Sequence, residues 1–221
     1  MFGGNKTYND LAGKKVQRIE AISDGVFAIA LTLLILDIKV PSAEGIHSER
    51  DLFDAIYRLS PKFLSYFLSF MTLGIFWTGQ TVQYNFIEKS DRDLNWIALF
   101  FLLFVSLLPF TTGFLSEHID FKISIGLYWL NIFLLGLLIY VHWAYAYKHG
   151  FVALASPQKE VVNKAITRRI IVAQSLYAVG ALLCFINNYV SIIFIIAVQL
   201  NYALAPFFQR KQRTAAGENP A

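Results

Sequence analysis

Within the apolar stretch RIEAISDGVFAIALTLLILDIKVP, the side chains able to do chemistry are Ser23, Asp24 and Thr32, with Arg18 at its start and Asp37 near its end. From Arg18 to Val40 the run is roughly 34 Å long as an α-helix at about 1.5 Å per residue, enough to cross a bilayer. An ionised side chain at mid-depth of a membrane costs roughly 2.5–3.5 kcal/mol on insertion scales, so Asp24 needs a reason to be there. A carboxylate in that position either handles a cation or proton or fastens its helix to a neighbour.

The spacing of the other residues separates these roles. At about 100° per residue, Gly25, Ile29, Thr32, Leu33 and Leu36 fall on one stripe of the helix. Extended one way the stripe takes in Ile22 and Arg18; extended the other way it grazes Asp37. It is basic at one end, apolar with a single hydroxyl in the middle, and acidic at the far end. Asp24 falls away from the stripe, where it would face other helices. The structural reading of the same pattern is a packed helix in which Thr32 bonds back to a carbonyl, and the residues alone leave that open.

A helix of this kind needs a membrane fold to position it, and the composition supplies one. Of 221 residues, 56% are hydrophobic and 16% aromatic, and the mean hydropathy is +0.51. That is too apolar for an ordinary soluble domain. The net charge of +4 would suit a nucleic-acid partner, but the basic residues lie between the apolar blocks, which reads as membrane topology. Cys184 is the single cysteine, so an intramolecular disulfide and a cysteine metal cluster are both excluded. His47, His118 and His149 share no ligand spacing. No paired carboxylates or nucleophile–base pair project from the apolar segments, so the chain does not read as an enzyme and calls for no cofactor. The start, MFGGNKTYND, is polar, and no cleavable leader is expected.

The expected fold is all-α, an integral membrane unit over residues 1–209 with six spans at about 18–40, 60–87, 93–115, 121–147, 164–185 and 189–208. A disordered tail is expected over 210–221. Between spans one and two the segment SAEGIHSERD reads as a polar loop; Pro61 suits a helix start, Pro109 a kink, and WAYAY (143–147) an interfacial aromatic belt. Of the 19 Lys and Arg, only Lys39, Arg50, Arg58, Lys62 and Lys122 fall outside the N-terminus, the 2–3 and 4–5 loops and the tail. The positive-inside rule then puts both termini in the cytoplasm, as an even number of spans requires. Arg210, Lys211 and Arg213 are part of that signal and suit anionic lipid.

Arg18-x-x-x-Ile22-Ser23-Asp24-Gly25, followed by VFAIALTLLILDIKVP, resembles the first-helix signature R-x-x-x-F-S-D of the lysosomal potassium channel family, in its bacterial branch. The likeness in layout covers the whole chain; the one departure is Ile22 in place of the signature phenylalanine. The resemblance implies a homotetramer in a bacterial plasma membrane, with four copies of the first helix around a central axis and no small-molecule substrate. It implies that Ile29 is the narrowest apolar ring, Thr32 a polar layer one turn outward and Leu36 a further apolar ring. Leu33 lies beside them on the stripe. It also implies that Arg18, Ser23 and Asp24 belong to a hydrogen-bonded network, and that Trp77 on the second helix braces the first behind the Thr32 layer. Permeating K+ would be the only metal ion, and Asp37 would ring the outer mouth. The alternatives are a secondary transporter, which would want several buried acids or broken helices, and a proton-permeable channel. His142, near the end of the fourth span, is read either as a proton sensor or as an interfacial histidine with its bonds satisfied.

Overall fold

A computed structural model describes residues 15–215, with side chains described to residue 203. The described chain is all-helical apart from one isolated bridge. Its α-helices are α1 (Val16–Leu33), α2 (Glu49–Arg58), α3 (Ser60–Tyr84), α4 (Arg92–Glu117), α5 (Lys122–Lys148), α6 (Ser156–Leu182) and α7 (Asn188–Ala215). Short 3-10 turns extend α1 over Leu34–Asp37 and α6 over Leu183–Phe185. Four segments are long and apolar enough to cross a membrane: Val16–Asp37, Arg92–Glu117, Lys122–Lys148 and Ser156–Phe185. The chain is therefore a membrane protein. α3 reaches the same standard only together with α2, across a 42° bend, and Asn188–Ala203 of α7 is a shorter apolar helix. α3 falls short alone because Ser65, Ser69, Thr72, Thr78, Gln80, Thr81 and Gln83 dilute its apolar residues.

Local chemistry sets the helix ends. Pro61 and Pro157 occupy the first turns of α3 and α6, where the missing N–H has no intrahelical partner to lose. Asp91 caps α4 by accepting from the Leu94 N–H at 2.8 Å. The polar loop expected after the first span contains α2, which sequence reading missed. Ser48 accepts from the Asp51 N–H at 3.2 Å, and the Asp51 carboxylate accepts in return from the Ser48 hydroxyl (2.8 Å) and the His47 N–H (3.1 Å). That reciprocal cap starts a ten-residue helix with no buried residue, too short and too charged to register as a span. α6 begins eight residues ahead of the expected 164. α7 continues helically through Ala215, into the segment 210–221 where a disordered tail is expected; Arg210, Lys211, Gln212 and Arg213 are good helix formers. Residues 216–221 lie outside the described residues, as do Lys6 and Lys14.

α4 and α5 form a tight antiparallel hairpin, α1 lies across α4 and α3, and α7 closes the bundle against α3 and α6. Phe27 of α1 and Phe76 of α3 both pack against Phe101 of α4 with their rings tilted to it, centroids 6.0 and 6.1 Å apart. Pro109 lies inside α4 without ending it. Lipid is as apolar as leucine, so helices in a membrane associate through packing and interhelical hydrogen bonds. The bonds run through the centre of the bundle. Thr112 donates to Ser69 (2.7 Å), Ser69 to the Tyr128 hydroxyl (3.2 Å) and Gln199 to Thr72 (2.6 Å), with Thr72 and Tyr128 hydroxyls 3.0 Å apart. One buried network thus ties α3, α4, α5 and α7.

At the end carrying the more basic loops, the segments after α3 and α5 pair. Ile87 and Val152 form the antiparallel bridge, flanked by Glu88 N–H to Phe151 C=O and Ala153 N–H to Phe86 C=O, both 3.0 Å. Trp143, fully buried, donates to Asn163 at 2.9 Å, and Tyr145 donates to the capping Asp91 at 2.7 Å. Lys62 and Glu117 form an ion pair at the opposite end. Removing one shared hydroxyl from the central network tests how much it holds: Tyr128→Phe is expected to lower stability by about 1 kcal/mol, the scale of an interhelical hydrogen bond. SDS titration of the protein in mixed micelles measures it, and an unchanged midpoint would mean that the hydroxyl adds nothing.

Candidate functional site

α1 has one face in the protein and one outside it. Val16, Ile19, Ser23, Phe27 and Ala30 are buried, as is Leu34 in the 3-10 turn. Facing outward from the chain are Ile22, Gly25, Ile29, Thr32, Leu33 and Leu36, with Ile29 60% and Leu36 67% exposed. These include every member of the stripe read from periodicity. Thr32 is exposed and donates back to the Ile29 carbonyl at 2.8 Å and the Ala28 carbonyl at 3.1 Å. The structural reading of Thr32 and its place on the outward stripe therefore hold together.

Three side chains fasten α1 to its neighbours. Ser23, 1% exposed, donates to the Ile19 carbonyl at 2.8 Å and lies 3.3 Å from the Tyr84 hydroxyl of α3. Tyr84 also accepts from Gln80 at 3.3 Å. One residue on, Asp24 accepts from the Trp77 indole N–H at 2.9 Å. Both side chains are exposed at the flank of the α1–α3 seam. Trp77 thus braces α1 at Asp24, two turns short of the Thr32 level expected for it, because its only ring donor is drawn to the carboxylate. Arg18 is exposed, and its side chain makes no hydrogen bond or ion pair among the described residues.

The third fastening lies at the 3-10 turn. A 3-10 helix advances about 120° per residue where an α-helix advances about 100°. Over Leu34–Asp37 this turns Asp37 about 80° further round, away from the outward stripe and toward α4. There its carboxylate accepts from the Ser116 hydroxyl at 2.8 Å. Gly113 leaves it room: a Cβ on Gly113 would meet Asp37 Oδ1 at 3.3 Å. Ser116 and Gly113 were not singled out by sequence reading. A small residue and a hydroxyl three apart in an apolar run was the available signal for them, and it is too common to act on.

The remaining polar candidates do not join this site. His142 is buried, 3.0 Å from Gln83 Oε1 through Nδ1, with its ring edge-on to Tyr84. It is a core residue of α5 and not an interfacial one. Among the described residues no group of three or more His, Cys, Asp or Glu could hold a metal ion, and Cys184 is buried and unpaired.

A relative from Chamaesiphon minutus, named a potassium channel, is 30% identical over 193 residues, covering 85% of this chain and 93% of that protein. The chain belongs to the TMEM175 family. The family description "Endosomal/lysosomal potassium channel TMEM175" matches residues 18–109, the segment holding α1 to most of α4. The crystal structure of a lysosomal potassium-selective channel TMEM175 homologue from Chamaesiphon minutus superposes with a TM-score of 0.72 at 28% identity, over 86% of this chain and 96% of that one. A Streptomyces collinus relative, also named a potassium channel, is 41% identical over 102 residues; that match spans 46% of this chain and about half, 48%, of the relative. The human relative, named an endosomal/lysosomal proton channel, is 39% identical over 99 residues, 42% of this chain and 19% of that protein. TMEM175 is a family of ion channels and not of enzymes.

Trp77→Phe keeps the ring and removes the N–H offered to Asp24. A hydrogen bond to a charged group contributes roughly 1.5–3 kcal/mol; at this exposed flank the expected loss is nearer 1 kcal/mol. It should appear as an earlier loss of the assembled peak in size-exclusion chromatography after graded heating. Asp24→Ala should act on the same readout more than on conduction, and normal assembly with altered ion selectivity would contradict the fastening role.

Proposed function

We propose that this chain is the subunit of a passive, potassium-preferring cation channel, a homotetramer whose central pore is lined by α1. The observation that supports this most is the division of α1 into a fastened face and an outward face carrying Ile29, Thr32 and Leu36 in line. A helix fully dedicated to the core of its own chain would have no such face to offer. The names of the Chamaesiphon and Streptomyces relatives point the same way. In this reading each subunit has six spans: α3 with 25 residues and α7 with 28 have the length to cross even though their composition is mixed. Both termini lie on the cytoplasmic side of a bacterial plasma membrane, following the basic loops.

The physics of the pore follows from its rings. Four copies of Ile29, and of Leu36 further out, make apolar constrictions that strip water from an ion and gate by dewetting. The Thr32 hydroxyls, about 4.5 Å from the Ile29 ring at about 1.5 Å per residue, replace part of the lost hydration. Replacing water partially favours potassium, the more easily dehydrated ion, over sodium. Leu33 flanks the Thr32 layer. Asp37, held against α4, adds negative charge near the outer mouth and concentrates cations there. No carbonyl-loop sequence of the TVGYG kind is present, so selectivity should be weaker than in a carbonyl filter.

A proton-permeable channel is the second reading, favoured by the names of the vertebrate relatives. A secondary transporter is disfavoured, since Asp24 is the one acid well inside a span. Reversal potentials in planar bilayers separate these readings. Under a potassium-for-sodium gradient the potential should lie on the potassium side with no co-ion required, and a dependence on pH gradient alone would favour protons. Ile29→Asn should raise conductance by wetting the constriction; unchanged or lower current in assembled protein would count against a pore role for Ile29. Cross-linking should stop at four subunits.

A further inference from the structure

Away from α1, a cavity of about 290 Å³ opens between α3 and α6, with Ile139 of α5 and Tyr202 of α7 completing its wall. It exists because α6 packs little: of its 27 residues only Tyr177 and Gly180 are buried. At Gly180 α6 meets α7 closely, where a Cβ would come within 2.6 Å of Ile195. Toward α3 it stands off. The lining is apolar, chiefly Phe76, Ile139, Ile166 and Ala173, and the Gln83 amide beside it is already committed to the Ile139 carbonyl and to His142. Gln174 and Tyr177 also line it at one end, and Gln174 Oε1 and the Tyr177 hydroxyl have no hydrogen-bond partner among the described residues. Ordered water needs two to four polar partners per molecule, so water suits that end alone and the rest of the space calls for an apolar occupant.

The charge beside the cavity says which one. Arg169 lines it about midway along the α6 wall, which runs from Val162 to Tyr177, its guanidinium 5.9 Å from the Tyr202 ring centre and in no ion pair among the described residues. Arg168 is exposed beside it, while Lys164 one turn earlier is paired with Glu160. Guanidinium groups bind phosphate in a two-pronged, charge-assisted geometry. Below Arg169 the cavity continues to Tyr177, eight residues or about 12 Å along the helix. One leaflet of hydrocarbon is roughly 15 Å deep, half of the usual core. A cation part-way along the slot, where the apolar run of α6 begins, with a mostly apolar wall of nearly one leaflet beyond it, matches a lipid standing in its own leaflet.

We propose that this cavity is a binding site for an anionic glycerophospholipid, one acyl chain lying between α3 and α6 and the phosphate on Arg169. The lipid fills a gap that α6 leaves in the protein and completes its contact with α3. The assignment does not depend on what the channel conducts.

Native mass spectrometry of the full-length assembly tests it, with phosphatidylglycerol and phosphatidylcholine of the same chain length supplied in separate arms. The wild type should retain phosphatidylglycerol about tenfold better than phosphatidylcholine. Arg169→Gln should bring phosphatidylglycerol down to the phosphatidylcholine level, and Arg169→Lys should keep most of it. Ala173→Phe fills the slot with the charge intact and should abolish retention of both lipids; its melting temperature in detergent, compared with the wild type, shows that it is folded. Undiminished phosphatidylglycerol in either Arg169→Gln or folded Ala173→Phe would overturn the site. So would retention of oleate with none of phosphatidylglycerol, which would make the occupant a free carboxylate. Lipid retention is read without any flux, so its failure and failure of the channel reading are distinct results.

Discussion

The indole N–H of Trp77 donated to Asp24 is the interaction on which the arrangement of α1 rests. A carboxylate in a membrane helix is costly unless something compensates it, and this one is compensated from a neighbouring helix. The bond therefore settles the carboxylate and the azimuth of the helix together. Ser23 against Tyr84, one position away, and Asp37 against Ser116, near the far end, repeat the same logic. Three bonds on one side of a rod prevent rotation about its axis, and the opposite side is then defined without any contact of its own.

Those fastenings are useful only if what they fasten to is stiff. The bundle behind α1 is braced at its centre by the hydroxyl and amide network of Ser69, Thr72, Thr112, Tyr128 and Gln199. At one end it is closed by the short pairing of residues 86–88 with 151–153. Packing alone is a weak guarantee of register between membrane helices, because lipid competes on nearly equal terms. Directional bonds between α3, α4, α5 and α7 do not slide. Phe27, Phe76 and Phe101 then transfer that rigidity to α1.

Periodicity exposed the part of this that obeys a single geometric rule. The helical positions after Arg92 and Lys122 and the outward stripe of α1 were all legible, since a long apolar run has one reading and a wheel of about 100° steps has one projection. The direction in which Asp37 points was not legible for the same reason: the wheel assumes an α-helix to the end, and four residues of 3-10 turn bring it against α4. α2 was invisible because its start lies in a reciprocal cap of Ser48 and Asp51 and its apolar residues number too few for a span. Trp77 was recognised as a brace, but which residue it meets depends on how α1 and α3 cross, and no pattern along one chain contains an angle between two helices.

Thr32 carries a further consequence in the accounting of its single proton. A threonine hydroxyl has one hydrogen to give and two lone pairs, and here the hydrogen is directed back along the helix to the carbonyls of Ile29 and Ala28. What remains facing away from the chain is electron density alone. Arranged around an axis, such hydroxyls present the negative ends of their dipoles and hold back every donor an anion would require in place of water. In the proposed pore, the sign of the permitted ion would then rest on a backbone hydrogen bond, before any formal charge or ring diameter is considered.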